Sequence, residues 1–202
     1  MSAGHYRKTS DLPNALAVFP LPGALLLPRW QLPLNIFEPR YLNMVDDAMS
    51  GSRLIGMVQA MGGPNTTYSE TDDGRYLITL TGIARFAIHR ELDVSTPYRQ
   101  VKPDWIPYES DLFAANDTAL PSRDNLVGAL RAYVEINKME ADWSAVEDAP
   151  LETLVNALCS GCPFSTIEKQ ALIEAPTLKD RAETLITLLR MDVPGNDGGT
   201  MQ

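Results

Sequence analysis

The reading of the fold turns on the stretch Phe19-Pro20-Leu21-Pro22-Gly23-Ala24-Leu25-Leu26-Leu27-Pro28, followed after Arg29-Trp30-Gln31 by Leu32-Pro33-Leu34-Asn35-Ile36-Phe37-Glu38-Pro39-Arg40-Tyr41. Prolines and a glycine break the apolar run from Ala15 to Leu27, so it cannot be a signal helix. Leu32, Leu34 and Ile36 alternate, as one face of a strand does. Glu38 and Pro39 then suit the first turn of a helix, where a carboxylate meets the positive end of the dipole. Arg40 is placed to pair with an acid nearby.

Working outward, the residues up to about 108 read mainly as strands, over Ala15–Phe19, Leu32–Phe37, Arg53–Gln59, Arg75–Thr81, Arg85–Arg90 and Tyr98–Trp105. Asp72-Asp73-Gly74 is a hairpin-turn signal. Short strands separated by Gly and Pro favour a barrel or sandwich over a parallel sheet. One helix interrupts them: Tyr41, Val45, Ala48 and Met49 share a face, and Gly51 ends it. Residues 1–13 read as a loose leader, 14–108 as the β unit and 109–121 as a linker.

Residues 122–192 change to helical spacing. Leu126, Leu130, Tyr133, Val134 and Asn137 mark one helix, and Leu151, Leu154, Val155, Leu158 and Cys159 a second. Ser165 with Glu168 forms a capping box opening a third, which Ala175-Pro176 ends. Thr177 with Asp180 opens a fourth, turning Leu178, Ala182, Leu185, Ile186 and Leu189 inward. The tail 193–202 reads as disordered. The fold class is therefore α+β, an antiparallel barrel with one inserted helix followed by a helical bundle.

Composition excludes several functions. The 202 residues carry a formal net charge of −9, which repels phosphate backbones and anionic headgroups. Neither nucleic acid nor a membrane is expected as a partner, no segment is long and apolar enough to span a bilayer, and a cytoplasmic location follows. No G-x-x-x-x-G-K-[ST] or G-x-G-x-x-G stretch offers a phosphate cradle, and no G-x-S-x-G elbow offers a nucleophile. Two histidines, His5 and His89, cannot build a paired-His metal site. Neither a cofactor nor a metal is expected, and the chain reads as non-catalytic.

Cys159-Ser160-Gly161-Cys162 is the motif that most needs weighing. A redox pair would open a helix, and half a zinc site would need two further ligands. This pair falls where a helix ends, with Cys159 on the apolar stripe and Gly161 at C′, so structural thiols are the favoured reading. The acidic pairs Asp46-Asp47 and Asp72-Asp73 read as a solvent-facing helix position and a turn.

The pattern F-P-L-x-x-x-x-L-P followed by L-P-L-x-I-F-E-P-R-Y closely resembles the opening of the Lon protease N-terminal, substrate-binding domain family in its standalone bacterial form. Arg53-Leu54-Ile55-Gly56-Met57-Val58, the segment Asp73–Gly82, the G-x-x-R-F of Gly82 to Phe86, and Glu168–Pro176 with Arg181 extend the likeness over about residues 15–191. The resemblance implies a PUA-like barrel followed by a helical bundle. It implies a recognition or adaptor module for unfolded or hydrophobic polypeptide segments, in the setting of a protease or chaperone system. The ATPase and Ser–Lys peptidase parts of Lon are not among these residues. By analogy and side-chain type, Trp30, Phe37, Arg40, Tyr41, Arg85 and Phe86 line a groove between barrel and bundle. The alternative is a PUA-like pocket for a small molecule. Two departures stand out: residues 60–67 replace a loop and strand usual in the family, and Trp30 replaces a small residue.

Overall fold

The computed structural model describes residues 6–59, 75–114 and 121–191. The chain divides into two compact units, Met1–Ala114 and Ala115–Gln202.

In the first unit, strands β1 (Leu16–Pro20), β2 (Gln31–Ile36), β3 (Gly56–Val58), β4 (Tyr76–Thr81), β5 (Ala87–Leu92) and β6 (Gln100–Asp104) are joined by one helix, α1 (Pro39–Ser50). They form a four-stranded sheet in the order β3-β1-β6-β5 and a two-stranded sheet of β2 with β4. An antiparallel barrel was expected; among the described residues the strands make two sheets, and one pair departs from the antiparallel pattern, β1 lying parallel to β3. Parallel strands need a crossover connection, and β2 with α1 supplies it. The turn at Asp72-Asp73-Gly74 and residues 60–67 lie outside the described residues, as does the tail.

The apolar run of β1 is explained by burial on both faces. Leu16 and Val18 pack with Val101, Phe86 and Trp105. Phe19 packs with Ile36, Tyr41, Met44, Val45 and Tyr98 in a second cluster, which Leu34 and Ile78 border. Each such side chain contributes roughly 1.5–3 kcal/mol on burial. Leu32, Leu34 and Ile36 do point inward along β2, while Gln31, Pro33 and Asn35 face out. The inner face of α1 is Tyr41, Met44 and Val45; Met49, expected among them, is 55% exposed.

Three boundaries differ from the sequence reading. The leader is not loose throughout, because Leu12 is buried and Trp105 Nε1 donates to the Pro13 carbonyl at 3.0 Å. The strand expected over Arg85–Arg90 starts two residues later, since Arg85 is turned to an acid rather than to a neighbouring strand. Residues 109–112, read as linker, belong to a 3₁₀ segment over Ile106–Leu112 that this same acid anchors.

The second unit contains α2 (Arg123–Ile136), α3 (Trp143–Asp148), α4 (Leu151–Gly161), α5 (Thr166–Glu174) and α6 (Leu178–Met191). Its core is formed by Leu126, Leu130 and Tyr133 of α2, Leu154, Val155 and Cys159 of α4, Leu172 of α5, and Ala182, Leu185, Ile186 and Leu189 of α6. The capping box forms as read, with Ser165 N donating to Glu168 Oε2 at 2.7 Å and Glu168 N to Ser165 Oγ at 3.3 Å. Thr177 and Asp180 exchange equivalent bonds. α3 was not anticipated: six residues are too short for a visible stripe. Asp142 caps its start, and Arg123 donates to the carbonyls of Glu147 and Ala149 near its end.

Candidate functional site

The six residues singled out from the sequence fall into separate neighbourhoods of the first unit. Arg85 is the most enclosed, at 5% exposure. Its Nε donates to Asp111 Oδ2 at 2.8 Å, its Nη2 to Oδ1 at 2.9 Å, and its backbone N–H to Oδ2 at 2.9 Å. The guanidinium also lies 4.3 Å from the centre of the Tyr108 ring. A two-pronged, charge-assisted pair of this kind is satisfied internally. It fastens the 3₁₀ segment to the start of β5, and Arg29 Nη1 adds a bond to the Asp111 carbonyl at 2.7 Å.

Trp30 stands beside this lock. The turn preceding it carries Arg29 at φ +64° and is clipped to the end of β4: Arg29 N donates to Gly82 O at 2.8 Å, and Gly82 N to Trp30 O at 2.9 Å. The indole is half-buried. Phe86, also half-buried, packs at 5.4 Å from the Trp105 ring. It closes over Gly56, where a Cβ would come within 2.7 Å of the phenyl edge. The G-x-x-R-F motif thus unites a close backbone approach, a buried ion pair and a ring contact.

Arg40 and Tyr41 form the second neighbourhood, at the start of α1. Arg40 bonds to Glu38 at 2.7 Å and lies 4.5 Å above the Tyr41 ring. Tyr41 meets Phe19 edge-on, with ring centres 4.4 Å apart. Burial, the strongest influence, raises the Tyr41 pKa; the Arg40 charge opposes it. Phe37, half-buried, precedes them in the chain. Tyr41 and Arg85 are thus enclosed, whereas Trp30, Phe37, Arg40 and Phe86 keep part of their surface open.

The pair Asp46-Asp47, read as bland, has structural work. Tyr76 of β4 donates to Asp46 at 3.0 Å, and Tyr98 donates to Asp47 at 2.6 Å. Each sheet is thereby tied to α1. Next to Tyr98, an open depression of about 470 Å³ is lined by Glu91, Leu92, Asp93, Val94, Thr96, Pro97, Tyr98 and Arg99. Arg99 and Glu91 close one side through two bonds of 2.6 Å.

The sequence reading did not single out these residues, nor the exposed Leu77 (84%) and Ile106 (76%). Alternation along β4 could have found Leu77, since Ile78 and Leu80 take the inner face. Ile106 sits in a 3₁₀ segment without such a period.

Cys159 and Cys162 are buried free thiols. α4 runs through Gly161, so the glycine expected at C′ is the last helical residue, and Cys162 N bonds to Leu158 O at 3.0 Å. Burial pushes Cys159 up to about 12 and Cys162 up to about 11, against the lowering influence of Arg181 and Lys169. Such thiols are poor nucleophiles and poor metal ligands. No group of three or more His, Cys, Asp or Glu residues among those described could hold a metal ion.

The family model described as "ATP-dependent protease La (LON) substrate-binding domain" matches residues 15–72 and 65–191. The chain belongs to the Lon substrate-binding domain family. The two matches overlap at residues 65–72. Among curated relatives, Lon protease 1 of Herpetosiphon aurantiacus is 33% identical over 92% of this chain, and the Lon protease of Desulfosudis oleivorans 31% identical over 86%. The chain spans only 25% and 23% of their lengths, in the substrate-binding region. Two solved structures share the fold. The Lon N-terminal domain protein from Xanthomonas campestris gives a TM-score of 0.57 at 20% identity, covering 86% of this chain and 97% of that one. The N-terminal domain of the Mycobacterium avium complex Lon protease gives 0.59 at 15% identity, covering 87% and 97%.

Proposed function

We propose that this chain is a non-catalytic module that recognises exposed apolar segments of polypeptides, in the cytoplasm and in the setting of a protease or chaperone system. The observation that carries the reading is the match to the Lon substrate-binding domain along both units. The first unit supplies suitable chemistry. Trp30, Phe37, Arg40 and Phe86 are partly open, and aromatic and Arg side chains are the usual anchors of binding surfaces. Tyr41 and Arg85 act from behind, fixing Arg40 and the Trp30 turn. No helix among the described residues is long and apolar enough to cross a membrane.

The test is anisotropy titration with a labelled, uncharged apolar peptide, with Trp30→Ala and Arg40→Ala as variants and circular dichroism as the check on folding. The expected result is binding that weakens roughly tenfold in each folded variant. Equal affinity for apolar and polar peptides, unchanged in both variants, would sink the reading. A small-molecule reading comes second, with the open depression beside Tyr98 as its candidate place. A metabolite that raises Tm when no peptide does would move the assignment there.

A further inference from the structure

Arg90 of β5 lies directly opposite Lys102 of β6 in the antiparallel register, just after the irregularity between Ile88 and Arg90. Both are exposed. Like charges facing each other across a ladder destabilise it, and ordinary sheets set an acid against a base there. This chain has the acids to do so, with 26 Asp and Glu against 17 Lys and Arg. One residue on, Glu91 stands opposite Val101 and binds Arg99 diagonally at 2.6 Å, leaving Arg90 without that acid. No carboxylate among the described residues lies within 4.0 Å of Arg90 or Lys102 as an ion-pair partner. Among the described residues β5 is the last strand of its sheet, so Arg90 stands on an edge strand, while Lys102 lies on β6 between β5 and β1.

We infer that Arg90 and Lys102 form a carboxylate-recognising patch, and that the preferred polypeptides carry acidic residues among their apolar ones. This rests on the polypeptide reading above and adds the charge of its ligand. A carboxylate that bridges the two side chains relieves their mutual repulsion, so the pair favours an acidic group in the ligand. A phosphodiester chain is a poorer fit, because two cations neutralise few of its closely spaced charges.

The experiment compares two labelled peptides of alternating apolar and polar residues, identical except that Glu in one is Gln in the other. Anisotropy is read at low and moderate salt, with the full chain and its Arg90→Gln and Lys102→Gln variants. The Glu peptide is expected to bind more tightly, to weaken with salt, and to lose about two- to fivefold in each variant, the span of exposed ion pairs. Thermal melts are expected to show both variants at least as stable as the parent, because the repulsion has gone. Equal binding of the two peptides overturns the patch and leaves the polypeptide reading standing. Binding of the Glu peptide that strengthens with salt also overturns it, since net charge alone would then govern. An oligonucleotide that displaces the Glu peptide more effectively than unlabelled peptide transfers the patch to phosphate. Failure of both peptides to bind overturns the patch and the polypeptide reading together.

Discussion

Gly82 lies so close to Leu27 that a Cβ on it would sit 1.9 Å from the Leu27 carbonyl oxygen and 2.7 Å from the carbonyl carbon. Both obstacles are backbone, so no rotamer change can make room. Two hydrogen bonds across this contact, Arg29 N to Gly82 O and Gly82 N to Trp30 O, hold the turn that carries Trp30. Gly82→Ala is therefore expected to cost about 2–4 kcal/mol, through lost bonds and strain together. Urea denaturation followed by tryptophan fluorescence measures it; a loss below 0.5 kcal/mol, on the order of a neutral surface change, contradicts the account.

The Arg85–Asp111 pair is expected to dominate the electrostatic stability of the first unit. Asp111→Ala leaves a buried guanidinium without its carboxylate and should cost about 3–5 kcal/mol. Glu91→Gln, which breaks the solvent-screened pair with Arg99, should cost far less. Denaturant midpoints of the two variants, measured side by side, decide the ranking.

Tyr98 gives the protein a specific weakness to alkali. Burial and the bond to Asp47 push its pKa up from 10.0 to about 12. Between these values the folded state holds a proton that the unfolded state has released. Stability from this group is complete below pH 10 and falls as pH rises towards 12. Tyr98→Phe is expected to flatten that fall while lowering stability at neutral pH by about 1 kcal/mol for the lost bond. An unchanged alkaline slope in the variant would show that other groups set it.

The buried thiols of Cys159 and Cys162 should resist modification. At pH 8 a thiol-reactive dye is expected to label neither at an appreciable rate in the folded protein, and both in denaturant. Cys159→Ser, which buries a hydroxyl in an apolar setting, should cost about 1–3 kcal/mol. Rapid native labelling would place the pair among reactive cysteines instead.

The local features were legible in sequence because they depend on neighbours in the chain. Alternation of Leu32, Leu34 and Ile36 assigned the inner face of β2, and Ser165 with Glu168 located the start of α5. α3 was missed since a six-residue helix shows no periodic stripe. Candidate site residues were only partly legible. Their types marked them as anchors, yet the same types serve a core: Tyr41 and Arg85 are buried, while Leu77 and Ile106 are exposed.

By itself, the sequence determined the change from strands to helices, the main capped helix starts, and the Phe19–Tyr41 and Gly82–Phe86 patterns by which the chain was placed in its family. Only the tertiary structure decided the partners across long separations. β1 pairs in parallel with β3, Arg85 finds Asp111, and Tyr98 finds Asp47. It also set Arg90 against Lys102. Short-range order follows from dihedral preference and side-chain period, which a sequence displays directly. Pairing between distant residues depends on how whole elements pack, and no local pattern encodes which charge will face which.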